Sequence, residues 1–477
     1  MNDSVDMAAM VVDVLPEIVL IGGGVVVLLY ALIAPRRFQA GAAVLAVVAA
    51  LLATAVTAAM LAGPESLTFF DTYARDRSAL WSKLIVLIAT VVVVGLSVPW
   101  FRRDPRHGEY YTLLLYASLG AALLAGATDL KEFIVAMLLS SATGFVLAAY
   151  HRRSSPSAEA AIKYYLIGAL SNSATLFGVA LLFGLAGSTT LAGLADGLPA
   201  AGGPALVVGL ALVIVGLAFK IGAVPAHAWV PDVAQGAPAP VAAFLTTVPK
   251  VGGFLFLARL VLALPPDAVG WQPMVAVLAA ATMTLGNLAC LWQDDVRRLL
   301  GWSSVSQTGY GLMAIVAIGS SNLALPALLY FLLAYVLGNL AAFGVVVELR
   351  GRTALASYAG VGRARPALAG ALAISFFSLI GVPPLAGFFA KFLLFAVAIE
   401  VGYGWLAIVA AVNTVISIFY YVRVLAPIYF GTATEPVSVL GRWAAWATLA
   451  SAAAVIVTGI LAEPFARAFF ASSLLIR

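Results

Sequence analysis

The sequence predicts an all-α polytopic membrane protein with about 14 transmembrane helices. Of its 477 residues, 63% are hydrophobic and only 10% are charged, whereas soluble domains contain about 45–50% apolar and roughly 25% charged residues. The apolar residues also fall into blocks of about 20, the length of helix that crosses a bilayer. Composition and block length together exclude a water-soluble globule.

The candidate helices follow one another along the chain without a soluble domain between them. The first residues, MNDSVDMAAMVVDVLPEIVLIGGG, are acidic and lack the basic region and cleavage site of a signal peptide, so we expect the first block to be a retained helix. Gly, Pro or charged residues bound each block. The blocks cover residues 15–34, 40–62, 79–99, 111–128, 130–150, 161–186, 204–228, 240–265, 271–292, 297–318, 324–349, 367–400, 404–429 and 442–470.

Arginines predict the orientation, because loops on the cytoplasmic side of a membrane carry an excess of Lys and Arg. We expect both termini to face away from the cytoplasm, and we read the net charge of +5 as a sign of topology, with no support for nucleic-acid binding. The opposite side holds chiefly Arg75, Arg77, Arg467 and Arg477. The loops after odd-numbered blocks hold Arg36, Arg37, Arg102, Arg103, Arg106, Arg152, Arg153, Arg297, Arg298, Arg350, Arg352, Arg363, Arg365 and Arg442.

Two stretches of the chain resemble each other. Residues 163–179 match residues 329–345 at a constant offset of 166 positions, and residues 221–225 echo residues 380–384. Each copy would contain five helices, an odd number, so the second would enter the membrane from the opposite side. We expect one transmembrane domain with N-terminal helices 1–3 in residues 1–110, repeats at 111–265 and 271–430, and a C-terminal helix in 440–477.

Three lysines, Lys220, Lys250 and Lys391, lie deep in apolar blocks, where a charge costs at least ~2.5–3.5 kcal/mol to insert. Each lies within seven residues of a proline, which removes an amide hydrogen bond, so polar backbone is expected beside each ammonium. Pro225 should free the carbonyl of Ile221, and Pro384 should lie on the same helix face as Lys391. Extension to the interface is the alternative, but the polar run beyond Lys220 is roughly 16 Å away along a helix. We select these three as proton-relay candidates.

Other ionisable residues are weaker candidates. His227 is either a relay residue or an interfacial anchor. Lys163 lies near a helix start but deep enough for a role in the relay. We expect Lys83 to extend to the interface, and Arg259 and Glu348, nearer helix ends, to be structural or interfacial.

A row of buried lysines has a chemical use. Burial favours the neutral amine, so a small change in nearby charge can switch its protonation. Bridging water or hydroxyls could then pass the proton on, and Ser303, Ser304, Ser306 and Gln307 could supply such links. The lone Cys290 cannot form an intrachain disulfide, and the chain has no CxxC or iron–sulfur ligand set, so we expect no metal or redox cofactor bound by this chain itself.

At these residues the chain resembles subunit N of the proton-pumping NADH–quinone oxidoreductase, respiratory complex I, an antiporter-like membrane subunit related to Mrp-type cation/proton antiporters. The resemblance extends from about the fourth to the thirteenth helix. Its motifs are AEAAIKYYLIGALSNS from Ala158, FKIGAVPAHAWVPDVAQGAPAPVAAFLTTVPKVGGF (219–254), DDVRRLLGWSSVSQTGY (294–310) and SLIGVPPLAGFFAKF (378–392), followed by NTVISIFYYVRV.

The resemblance implies two inverted five-helix repeats with broken helices 7 and 12. It implies that Lys220 of helix 7, Lys250 of helix 8 and Lys391 of helix 12 form a proton path in a bacterial inner membrane. It places NADH, flavin, iron–sulfur clusters and quinone in partner subunits, with no cofactor in this chain.

One departure concerns helix 5, where the family has a glutamate that partners the helix-7 lysine. Here the segment reads AMLLSSATGFVLAA, and counting back from Ala148 and Ala149 puts Leu138 at the expected position. Glu132 is no simple replacement, because six residues turn a helix by about 240°. Two alternatives therefore stay open beside a proton-pumping subunit: a scaffold without pumping activity, and an Mrp-like antiporter.

Overall fold

The computed structural model describes residues 7–104, 107–151, 153–201, 203–264, 270–350, 352–432 and 440–477. Helices dominate these residues, which confirms the predicted fold class of an all-α membrane protein. Eleven of the helices described are long and apolar enough to cross a membrane. The count of fourteen spans stays a prediction.

The N-terminal helices pack on one another and on the next helix of the chain through small residues, such as Ala42, Ala46 and Ala50 of α3. A short antiparallel hairpin, in which Ser66 pairs with Arg75, lies before α4. These elements are α1 (Met7–Asp13), α2 (Leu15–Ile33), α3 (Gly41–Met60), β1 (Ser66–Thr68), β2 (Tyr73–Arg75) and α4 (Arg77–Phe101).

The next group surrounds a helix pair that is buried along its whole length, α11 and α12. The neighbour α9 packs against α7 and α12, and α5 packs against α6 and α12. The helices are α5 (Gly108–Gly126), α6 (Leu130–Ala148), α7 (Ser155–Ala186), α8 (Leu191–Ala201), α9 (Pro204–Ile221), α10 (Trp229–Gly236), α11 (Ala239–Leu245) and α12 (Val248–Leu262).

The last group is centred on α15, which packs against α14, α17, α18 and α20. Its helices are α13 (Trp271–Cys290), α14 (Val296–Ala317), α15 (Ala324–Glu348), α16 (Val361–Ala364), α17 (Pro366–Ile380), α18 (Ala386–Glu400) and α19 (Gly404–Phe430), followed by α20 (Arg442–Ile460) and α21 (Ala462–Phe470).

Several apolar blocks are interrupted. The block 204–228 ends its helix at Ile221, and 367–400 contains two helices, as the resemblance implied. The block 240–265 is also divided, between Leu245 and Val248, just before the helix-breaking proline Pro249, although the resemblance implied broken helices only at 7 and 12. The block 442–470 is divided at Leu461, because Pro464 in the first turn of α21 cannot continue the hydrogen-bond ladder of α20.

A buried ion pair joins distant parts of the chain. Arg259 of α12 donates two hydrogen bonds to Asp76, of 2.7 and 2.8 Å, and both side chains are fully buried. Asp76 also caps α4 by accepting from the Ala79 amide at 2.8 Å. The backbone of Leu475 completes the cluster, since its amide donates to Asp76 and its carbonyl accepts from Arg259.

We expect Arg259→Met to destabilise the protein by about 3–5 kcal/mol, because it leaves the Asp76 carboxylate buried without a countercharge. Thermal unfolding of the purified protein in detergent measures the loss. Arg467→Met is the matched control, since Arg467 pairs with Glu463 on the surface and such pairs contribute about 0–1 kcal/mol. Equal losses in the two variants would contradict a special role for the buried pair.

Candidate functional site: three lysines at interrupted helices

The end of α9 inside the protein is the first part of the site. Gly222 takes a left-handed conformation with φ of 75° and ends the helix, as glycine does more readily than other residues. The freed carbonyl of Ile221, predicted from Pro225, accepts a hydrogen bond from the Thr308 hydroxyl at 2.8 Å. A hydroxyl from α14 thus caps a helix end that is buried inside the protein.

Lys250 lies next to this capped helix end. Its Nζ donates to the Thr308 hydroxyl at 2.7 Å and to the Ser304 carbonyl at 2.8 Å. A Cβ at Gly222 would approach Val230 Cγ2 to 2.8 Å, whereas Lys250 Nζ would lie at an ordinary contact distance of 3.4 Å. Since α12 begins at Val248, Lys250 lies in the first turn of a helix and not in the middle of an unbroken one.

Lys391 has an equivalent position beside the second interrupted helix. Gly381, with φ of 100°, ends α17, and the carbonyl of Ile380 accepts from Lys391 Nζ at 3.0 Å. The ammonium also donates to Thr414 at 3.3 Å and lies 4.0 Å from the centre of the Tyr310 ring. Pro384 was expected on the same helix face as Lys391, but it lies in the turn before α18.

A chain of polar groups extends from Lys250 toward Lys391. The Tyr335 hydroxyl lies 2.8 Å from the Ser304 hydroxyl and donates to the Thr246 carbonyl at 2.6 Å. A cavity of about 10 Å³ separates Tyr335 from Lys391 and is also lined by Gln307. This is roughly the room that one water molecule needs.

Lys220 is held on the other side of Lys250. Its Nζ donates to the Ser141 hydroxyl of α6 at 2.9 Å, and its stem packs closely on Gly253. The three lysines are at least 95% buried. Among the residues described, no carboxylate lies within 4.0 Å of any of the three ammonium groups.

Of the neighbouring residues Met137 and Leu138 of α6, only one lies on the side of Lys220. Leu138 is 42% exposed on the outer surface of α6, so an acid there would not face Lys220. Met137 is buried and its methyl group lies against Gly216, one helical turn before Lys220. The two neighbouring positions point about 100° apart around the helix, and the match of Leu138 to the family's glutamate stays a prediction.

The two weaker relay candidates lie apart from these contacts. Lys163 is 44% exposed and pairs with Glu159 at 2.7 Å and Asp232 at 3.2 Å. His227 is half-buried, and its ring centre lies 5.6 Å from that of Trp302. Neither makes a hydrogen bond with one of the three lysines.

A buried charged cluster was missed by the sequence analysis. Lys83 does not extend to the interface: it is fully buried, and its Nζ lies 2.7 Å from Glu17 Oε1. The Tyr73 hydroxyl donates to the same carboxylate at 2.6 Å. Glu17 belongs to α2 and Lys83 to α4, so only the tertiary structure reveals the pairing. In the part of the chain described, no group of three or more His, Cys, Asp or Glu could hold a metal ion.

The sequence and fold of this chain are similar to those of one family of known proteins. A family model described as NADH:quinone oxidoreductase/Mrp antiporter, TM, matches residues 127–417. A protein of Streptomyces griseus named NADH-quinone oxidoreductase subunit N 1 is 42% identical over 463 residues, 96% of this chain and 97% of its own. One of Mycobacterium sp. (strain JLS) named subunit N is 40% identical over 451 residues, 94% of this chain and 96% of its own.

A solved structure of respiratory complex I from Thermus thermophilus with bound aureothin contains a similar chain. That chain is 32% identical, with a TM-score of 0.84, and the match covers 96% of this chain and all of that one. The likeness therefore includes the interrupted helices and the elements around them.

We expect Thr308→Val to destabilise the protein by about 1–3 kcal/mol, because the Ile221 carbonyl and the Lys250 ammonium each lose a buried partner. Thermal unfolding in detergent measures the change. Thr57→Val is the control, since the buried Thr57 hydroxyl bonds only the Ala53 carbonyl of its own helix. If Thr308→Val costs no more than Thr57→Val, the hydroxyl does not stabilise the helix end.

Proposed function

The chain belongs to the family of NADH–quinone oxidoreductase subunit N, and on this premise we propose that it relays protons through Lys220, Lys250 and Lys391 in the membrane arm of a complex I-type enzyme. Electron transfer would take place in other subunits of the assembly, which would hold NADH, flavin, iron–sulfur clusters and quinone. The enzyme activity thus belongs to the complex, and this chain contributes the transmembrane path.

The observation that carries the proposal is the kind of partner that each lysine has. All three ammonium groups donate to hydroxyl or carbonyl oxygens and to no described carboxylate. A buried ammonium with neutral partners releases its proton more readily than one in an ion pair. In structural ion pairs such as that of Arg259 with Asp76, by contrast, the cation has a carboxylate partner.

The groups between the lysines support transfer from one to the next. Lys250 donates to the Thr308 hydroxyl and to the Ser304 carbonyl. The hydroxyl of Ser304, a separate group of the same residue, lies 2.8 Å from that of Tyr335. One water in the cavity beside Tyr335 would then have Gln307 and Lys391 as further polar partners. We propose that this water completes the connection. His227 and Lys163 stay secondary candidates for the entry of protons.

The two repeats, residues 111–265 and 271–430, are also part of the proposal. Asp129 caps α6 and forms an isolated antiparallel β-bridge with Thr190. In the same way, Asp295 caps α14 and forms such a bridge with Ala354. The two aspartates are 166 positions apart, the offset found in the sequence. Both interrupted helices, α9 and α17, end at a left-handed glycine, which further supports a common plan.

We propose a bacterial inner membrane as the location, with both termini on the non-cytoplasmic side. Arg75 of the hairpin pairs with Asp13 at 2.7 Å, and the Leu475 amide donates to Asp76, the next residue along the chain. Segments near the two ends thus contact the same hairpin region, which supports the proposal that both termini lie on the same side of the membrane. The arginine distribution selects the non-cytoplasmic one.

Replacement of Lys250 by Met tests the proposal. In the assembled complex we expect a several-fold decrease in proton translocation, because the variant lacks the ammonium that would release a proton beside Ser304 and Thr308. Proton uptake into vesicles is measured together with NADH–quinone electron transfer. Lys131→Met is the matched control, since the Lys131 side chain is 70% exposed.

Each other function has its own outcome in this experiment. An assembled Lys250→Met complex with full electron transfer and full proton translocation would identify a scaffold. Cation/proton exchange by the chain alone in liposomes would identify an Mrp-like antiporter, the activity that the description of the matching family model includes.

The acid missing from α6 gives a second test. We expect Met137→Glu to lower the number of protons translocated per electron, because a carboxylate at this buried position would pair with Lys220 and hold its proton. Leu138→Glu, on the outer surface of the same helix, should leave this number unchanged. The same change in both variants would contradict the assignment of position 137 to the site.

A further inference from the structure

A second cavity lies away from the three lysines, where α15 ends and α17 and α20 begin. Its volume is about 460 Å³, and its lining includes Glu348, Arg365, Leu368, Arg442 and Leu449. The arginines place it on the side of the membrane that the sequence assigns to the cytoplasm. The proton path proposed above uses none of these residues.

Glu348 is the acidic group of this cavity. Its side chain is 1% exposed, and neither carboxylate oxygen makes a hydrogen bond within the described part of the chain. Backbone amides at the start of α20, including those of Gly441 and Ala445, lie near it, as does Arg365. Buried carboxylates are nearly always hydrogen-bonded, so this one has unused capacity to accept from a cationic donor.

Positive groups surround the mouth of the cavity. Arg365 and Arg442 are both exposed and line it together with Gly441. Arginine is well suited to bind phosphate oxygens.

The remaining surroundings are those of a lipid. Leu368, Leu449 and Pro366 form an apolar wall. On the same helix, α20, Trp443 is 68% exposed and Trp446 is 69% exposed. Exposed tryptophans are typical of the level of lipid headgroups.

We propose that this cavity binds a phospholipid whose headgroup carries a primary amine, of the phosphatidylethanolamine class. The ammonium donates to Glu348, the phosphate lies between Arg365 and Arg442, and the acyl chains follow the apolar wall. A buried acid beside two arginines is complementary to a headgroup that carries a positive ammonium and a negative phosphate. A headgroup without an amine would offer Glu348 no cationic donor.

Lipid retention tests the proposal without any turnover. The full chain, in the complex from which it is purified, is stripped of lipid and incubated with vesicles of phosphatidylethanolamine, phosphatidylcholine or phosphatidylglycerol with identical acyl chains. Mass spectrometry then counts the lipid retained. We expect phosphatidylethanolamine to be retained about tenfold better than either of the others, the size expected for a charge-assisted hydrogen bond. Equal or better retention of phosphatidylglycerol would overturn the proposal.

Variants separate the two parts of the site. Glu348→Gln should reduce the retention of phosphatidylethanolamine to the level of phosphatidylcholine, whereas Arg365→Ala should weaken the retention of both lipids. Arg363→Ala, an exposed arginine two positions earlier that does not line the cavity, is the control and should change neither. Undiminished selectivity in Glu348→Gln would contradict the role of the acid.

A series of N-methylated headgroups tests the same contact in the unmodified chain, so the result does not depend on the folding of a variant. Each methyl group removes one N–H donor while the positive charge stays. We expect retention to fall from the primary amine to the quaternary amine. Equal retention along the series would overturn the assignment of Glu348 as the acceptor.

Discussion

The hydrogen bonds that Thr308 makes with Lys250 and with the Ile221 carbonyl are the contacts on which the site depends. A helix that ends inside an apolar bundle exposes carbonyl oxygens that no solvent can satisfy. This chain satisfies them with hydroxyl and ammonium groups from neighbouring helices. The groups that permit the interruption of the helix are therefore also groups that can exchange protons, so the architecture and the proposed chemistry share one physical origin.

The chain handles buried charge in two ways. Two buried cations have a carboxylate partner: Arg259 pairs with Asp76, and Lys83 pairs with Glu17. Within the described ranges, the ammonium groups of Lys220, Lys250 and Lys391 donate only to neutral oxygens. Pairing fixes a charge in place, whereas neutral partners leave it exchangeable. The partners, more than the depth of burial, distinguish structural charges from candidate functional ones.

Local sequence features predicted much of this arrangement, and long-range features did not. Apolar block length predicted the helices, and Pro225 predicted the free carbonyl of Ile221. The pairing of Lys83 with Glu17 could not be predicted, because residues 66 positions apart in sequence meet only after tertiary packing. The interruption before Val248 was missed because a proline at the start of a helix and one that divides a helix look alike in sequence. The exposure of Leu138 beside the buried Met137 shows that the side of a helix on which a residue lies changes by about 100° from one position to the next.

The cluster around Asp76 also constrains the order in which the molecule can be completed. Leu475 is synthesised 399 positions after Asp76 and 216 after Arg259, yet its backbone bonds both side chains. During translation, the ion pair can therefore complete its hydrogen bonds only after the segment around Leu475 has been made. This segment joins α4 and α12, two helices whose residues are made much earlier.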